Sequence, residues 1–136
     1  MGLSHKNLEN YILAKPGAKL DYPFGEGVAV YKIVTSLKNP DLSKGKMFAL
    51  IAEKSDPLRI SLKCDPLLAQ TLREKYESVM PGYHLNKKHW NTIICSGQLS
   101  DQEIYEFIDH SYTLVFNSFS FQDRAKVERL KINQQA

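Results

Sequence analysis

The 136-residue chain lacks the long apolar run that a membrane-spanning helix needs, and its first residues contain no apolar segment of the signal-peptide type. It has two cysteines, Cys64 and Cys95, which do not form a CxxC pair. A disulfide framework and a thiolate metal site are therefore disfavoured, and buried free thiols are expected. Together these features predict a cytoplasmic protein that makes no contact with a membrane.

Catalytic and cofactor motifs are also missing from the sequence. GxGxxG, GxxxxGK[ST], GxSxG and HExxH do not occur. His84 and His89 lie five residues apart, which suits neither a metal-binding helix nor one face of a strand. Asp109, His110 and Ser111 are the residue types of a catalytic triad, but neighbours on a helix point in different directions. We therefore expect no enzyme activity, no cofactor and no metal.

The composition is that of one globular domain, with 43% hydrophobic and 24% charged residues. The formal net charge is +3, and its distribution along the chain is uneven. Residues 58–90 carry six positive and three negative side chains, whereas residues 91–118 carry four negative and no positive ones. Such asymmetry is compatible with a polyanionic partner, although charge alone favours a solvated surface of mixed charge.

Helix caps and hydrophobic periodicity predict the order of the elements. Ser4, Asp65 followed by Pro66, and the box Ser100 to Glu103 each mark the start of a helix. The helix after Asp65 is predicted to end just before Pro81. Patterns rich in apolar residues predict strands over 28–34, 47–52 and 58–64, one or two short strands within 83–95, and a last basic helix over 122–130.

This order, α-β(3)-α-β(2)-α with a C-terminal helical extension, predicts an α+β two-layer sandwich. Short connections imply an antiparallel sheet, with helices mainly on one face and part of the other face open. We expect one domain over residues 1–118, followed by a helical extension over 119–136 that ends in a frayed tail. A monomer is slightly favoured, but the sequence does not fix the oligomeric state.

Two neighbouring features carry the chemistry from which we infer a function. Strict alternation over 58–64 places Arg59 and Lys63 on the polar face of a strand. A short block then combines cations, imidazoles, an amide and an indole: His84, Asn86, Lys87, Lys88, His89 and Trp90. Ammonium groups suit phosphate oxygens, and an indole offers a plane for base stacking. Trp90 could instead be a core residue, and the lysines solvated loop residues.

Several stretches, taken in order, resemble the MmcQ/YjbR family of small proteins. They are Pro23-Phe24-Gly25, Lys46-Met47-Phe48-Ala49-Leu50, Ile60-Ser61-Leu62-Lys63-Cys64-Asp65-Pro66, the block from Pro81 to Thr92, and Asp109-His110-Ser111-Tyr112. The resemblance implies an α-β(3)-α-β(2)-α fold similar to CyaY-like and secretion-chaperone-like domains, and it implies DNA binding. It places binding on Lys63, His84, Asn86, Lys87, Lys88, His89 and Trp90, to which the strand alternation adds Arg59. Segment 35–45 and the residues after 118 depart from the family pattern.

The leading hypothesis is a DNA-binding module without sequence specificity. The second is a module that binds a protein partner through its open sheet face or its helices, as secretion-chaperone-like folds can. The third is a small-ligand or enzyme site around His84, His89 and Asp109, which would require these side chains to lie within hydrogen-bonding reach of one another.

Overall fold

The structure, a computed structural model, describes residues 3–82 and 85–135, with the side chains of the last helix described as far as Lys131. Within these residues the chain forms four α-helices, six strands and one 3₁₀ turn. In chain order they are α1 (His5–Leu13), β1 (Ala18–Asp21), β2 (Val28–Ile33), the 3₁₀ turn (Leu42–Lys44), β3 (Lys46–Ala52), β4 (Arg59–Lys63), α2 (Pro66–Lys75), β5 (Val79–Pro81), β6 (Trp90–Ile94), α3 (Asp101–Asn117) and α4 (Phe121–Gln135).

The six strands form one open antiparallel sheet in the order β1-β2-β3-β4-β6-β5. The predicted α+β class is therefore confirmed. Four strands precede α2, however, whereas three were predicted. The additional strand is β1, a four-residue edge strand that pairs only with β2. Four residues are too few for a periodic pattern to stand out from its surroundings.

Helix α2 is shorter than predicted. It ends at Lys75, and Tyr76 already has extended backbone angles. The residues between Tyr76 and Pro81 form a turn and the edge strand β5 instead of a continued helix. Pro81 is tolerated there because an edge strand leaves one row of backbone groups unpaired, so the missing N–H costs no ladder bond.

The predicted helix starts agree with the structure, because each cap is a local interaction. The Ser4 hydroxyl accepts the Asn7 amide at 3.1 Å. The Asp65 carboxylate accepts the amide of Leu68 at 3.2 Å. Ser100 forms the expected reciprocal box with Glu103. Each interaction satisfies amide groups that the first turn of a helix leaves without a partner.

The helices cover one face of the sheet, and their side chains form the main core with Tyr31, Phe48 and Ile51. Val127 of α4 is fully buried in the same core, so the predicted extension packs on the domain, and the division at residue 118 stays a prediction. None of the helices among the described residues combines the length and the apolar composition that a membrane-spanning helix requires.

The helices in the described part of the chain leave the opposite face of the sheet uncovered. It carries a second, smaller apolar cluster of Val30, Leu50 and Trp90. This explains the continuous apolar run in β3: Leu50 packs on the open face, whereas Ala49 and Ile51 point into the main core.

Candidate nucleic-acid interface

The described part of the block singled out in the sequence, residues 86–89, forms a tight turn that leads into β6. The Asn86 carbonyl accepts the amides of His89 at 3.2 Å and of Trp90 at 2.9 Å. The Asn86 side-chain oxygen accepts the amide of Lys88 at 2.9 Å. Asparagine favours such turns because its side chain can replace a backbone acceptor. The turn leaves Lys87 and Lys88 exposed at its tip.

Arg73 of α2 holds this turn from the helical side of the sheet. Its Nε donates to Asn91 Oδ1 at 2.6 Å, and its Nη2 donates to the Trp90 carbonyl at 3.1 Å and to the Lys87 carbonyl. Asn91 is 2% exposed, and its amide donates to the Ala69 carbonyl at 3.2 Å. The guanidinium thus satisfies acceptors that lie at the base of the turn, and its positive charge lies against the backbone of Lys87.

Strand β4 is tied to the same turn. The amide of Cys64 donates to the His89 carbonyl at 2.7 Å, and Lys63 lies opposite Trp90 in the register of β4 and β6. Lys63 and Lys88 are therefore the neighbours in the chain of the two residues that form this hydrogen bond. We name the group formed by Lys63, Arg73, Lys87 and Lys88 the cationic turn surface. None of its four members forms an ion pair with a carboxylate within residues 3–82 and 85–131.

The structure separates Arg59 from this surface. Arg59 is exposed at the opposite end of β4, where it pairs with Ala52 and Ile94. Four strand residues correspond to roughly 13 Å between its Cα and that of Lys63. The two cations share a face of the sheet, as the alternation predicted, but they do not lie together.

Trp90 and Asn86 have structural roles that the sequence hypothesis did not assign to them. Trp90 is 8% exposed and packs with Val30 and Leu50, so its indole does not offer an open plane for stacking. The core interpretation of this residue is the correct one. Asn86 Oδ1 is used inside the turn. His89 is half-buried at the turn's end, and His84 lies outside the described residues.

The three triad-like residues of α3 point to separate partners, as the helical geometry predicted. Asp109 contacts the hydroxyl of Tyr11 on α1 and the ammonium group of Lys15, which lies two residues after the end of α1. His110 Nε2 accepts the amide of Asp65 at 3.2 Å. Ser111 is fully buried and bridges two strands of the sheet. Among the residues that the structure describes, no group of His, Cys, Asp and Glu is arranged to hold a metal ion.

The two cysteines are free thiols. Desolvation by burial, with a smaller contribution from Asp65, raises the pKa of Cys64 to about 11. Desolvation, with a smaller contribution from Asp101, likewise raises the pKa of Cys95 to about 11. Reactive cysteines have a lowered pKa, so neither thiol has the character of a nucleophile.

Sequence reasoning missed two residues that shape this site. Arg73 counted only as one more positive charge, because its partners lie 14–18 residues further along the chain. Gly82 is the second such residue, and the sequence pattern assigns it no role in the site. A Cβ added there would lie 2.8 Å from the Cβ of Trp90, closer than carbon atoms pack. The glycine is thus the residue that lets the chain after β5 approach β6, where its amide donates to the Trp90 carbonyl at 2.9 Å.

The family model YjbR matches residues 13–114 of the chain. Among curated proteins, the chain is similar to the uncharacterised protein YjbR of Escherichia coli K12. The two are 34% identical over 123 residues, which cover 90% of this chain and 96% of that protein. The uncharacterised protein YyaQ of Bacillus subtilis is 28% identical over 120 residues, which cover 82% of this chain and 98% of that protein.

Solved structures show the same similarity. The crystal structure of Deinococcus radiodurans protein DR2400 superposes with a TM-score of 0.82 at 34% identity, covering 90% of this chain and 86% of the other. A crystal structure of a protein from Pseudomonas syringae superposes with a TM-score of 0.64 at 30% identity, covering 83% and 99% of the two chains.

Proposed function

The chain belongs to the YjbR family, and we propose that it acts as a DNA-binding module that contacts the phosphate backbone without reading base sequence. One observation carries this proposal: the cationic turn surface gathers four positive charges around one ordered turn, and no described carboxylate neutralises them. Cations that are not already paired are the groups that gain most from contact with phosphates, because each contact releases a condensed counterion from the duplex.

The order of the turn strengthens the case for a binding surface. Lys87 and Lys88 belong to a segment held by the Asn86 bonds and by Arg73, so their backbone is fixed before any ligand arrives. Their charges are therefore presented at defined positions, which lowers the ordering cost of binding. Lysines on a mobile segment would instead lose backbone conformational entropy when they bind, which would weaken binding.

The same geometry argues against sequence-specific recognition. Base edges are read by bidentate side chains such as Arg or Asn in a groove. Arg73 uses its Nε and Nη2 inside the protein, Asn86 Oδ1 accepts a backbone amide, and the indole of Trp90 is covered. The groups left to contact a duplex are the three lysine ammonium groups and Nη1 of Arg73, and these act on phosphates through their charge.

The test compares duplex affinities of three proteins at about 50 mM salt by fluorescence anisotropy. Lys87→Ala/Lys88→Ala removes two of the four charges, and we expect affinity to fall on the order of a hundredfold at this salt concentration. The matched control is Lys6→Ala/Lys38→Ala, which removes the same net charge at two exposed positions outside the surface. Equal losses in both double variants, or no measurable binding by the unmodified protein, would remove the basis of the proposal.

A further inference from the structure

The open face of the sheet contains a recess that the DNA proposal does not use. Its volume is about 420 Å³, which lies within the range of about 300–1,000 Å³ typical of small-molecule sites. Apolar side chains supply most of its wall: Phe24, Val28, Leu50, Ala52 and Leu85. Phe24 is 61% exposed, an unusual exposure for an aromatic side chain beside an apolar surface.

Two kinds of polar group interrupt this apolar wall. Arg59 stands at the end of β4 and has no ion-pair or hydrogen-bond partner among the described residues. One pleat away on the same face, the hydroxyls of Ser61 and Thr92 form a hydrogen bond of 2.8 Å across β4 and β6. The recess therefore combines a large apolar surface, a polar point in its floor and one unpaired guanidinium.

We infer that this recess binds a small molecule with an apolar body and a single carboxylate. The apolar body would cover Phe24, which is exposed, and Val28, which is half-buried, beside the buried Leu50. A guanidinium presents a planar fork that matches a carboxylate with two parallel hydrogen bonds. An apolar surrounding strengthens such a pair, because less water competes for it. A cationic ligand would be repelled by the same group, and a short acid without an apolar body would gain only a solvent-exposed ion pair.

The site differs from the cationic turn surface in both position and ligand. Arg59 and Lys63 lie at opposite ends of β4, and Lys63 does not line the recess. Arg59→Gln and Lys63→Gln therefore form a matched pair, each removing one charge from the same face of the same strand. The first is expected to affect only binding in the recess, and the second only DNA binding.

The experiment titrates octanoate into the ¹⁵N-labelled protein and follows the backbone amides by NMR. We expect saturable shifts confined to the residues around the recess, with no comparable shifts from octylamine or acetate at the same concentrations. Arg59→Gln should weaken octanoate binding at least tenfold, whereas Lys63→Gln should leave it unchanged.

A second variant tests the apolar part without altering charge. Ala52→Leu adds volume inside the recess and should also abolish the octanoate shifts. Shifts scattered over the whole surface, equal responses to octanoate and octylamine, or unchanged binding in Arg59→Gln would each overturn the inference. Because Arg59→Gln keeps all four charges of the cationic turn surface, its DNA affinity reports on the other proposal separately.

Discussion

Replacing Arg73 by methionine tests whether this side chain organises the turn. Methionine keeps much of the apolar stem but removes every donor of the guanidinium. The substitution leaves the side-chain oxygen of Asn91 without its donor, Arg73 Nε at 2.6 Å, and Asn91 is only 2% exposed. A buried acceptor without a partner costs about 1–3 kcal/mol, and the carbonyl of Trp90 also loses a charge-assisted donor. The Lys87 carbonyl is solvent-exposed and can turn to water.

We therefore expect Arg73→Met to lower the free energy of unfolding by about 2–3 kcal/mol, measured by urea denaturation. Hydrogen exchange at the amides of His89 and Trp90, both bonded to the Asn86 carbonyl, should become faster as the turn loosens. Lys75→Gln is the control, because it removes one charge from the same helix end without touching the turn. A loss below about 0.5 kcal/mol with unchanged exchange would refute the assigned role, since such a value is typical of surface substitutions.

Three further predictions concern the stability of the fold. Gly82→Ala should destabilise the protein by about 1–3 kcal/mol in urea denaturation, because the new methyl group meets Trp90 at 2.8 Å; a neutral result would show that the contact relaxes freely. Ser111→Ala should lower the free energy of unfolding by about 2–3 kcal/mol in the same assay, because the buried hydroxyl donates to a carbonyl of β3 at 2.6 Å and accepts an amide of β4 at 2.9 Å. Ser111→Cys keeps a weak donor and should lower it less. Burial raises the pKa of Cys64 and of Cys95 from 9.0 to about 11, so their contribution to stability is fully present below pH 9 and is lost as the pH rises through 11. The urea midpoint of unfolding should therefore fall between pH 9 and pH 11. A variant with alanine at both positions should show a smaller fall over the same range.

The parts of the fold that were predictable from the sequence are those set by neighbours in the chain. The caps at Ser4, Asp65 and Ser100 are interactions across three residues, and the structure contains all of them. The alternation of β4 correctly separated its buried and outward-facing residues. Patterns of this kind need several residues to be recognised, so β1 and β5, with four and three residues, escaped detection.

The position of the candidate site was predictable from the sequence, but the hydrogen bonds within it were not. The sequence hypothesis placed Lys63 near Lys87 and Lys88, and the register of β4 and β6 puts Lys63 opposite Trp90, two residues after Lys88. The bonds of Arg73 to the turn join residues distant in the chain, and no periodic pattern signals them. The separation of Arg59 from the other cations depends on the length of β4. One end of its open face lines the recess, and the other end lies beside the cationic turn surface.

The central claim is that the cationic turn surface neutralises phosphates, and the salt dependence of duplex affinity measures this directly. Four phosphate contacts predict a slope of log affinity against log salt near −3.6, so affinity should fall about 150-fold between 50 and 200 mM salt. In Lys87→Ala/Lys88→Ala the slope should drop to about −1.8, with a fall of about 12-fold over the same range. A slope near −3.6 that persists in the double variant would contradict the account, because the lysines of the turn would then contact no phosphate.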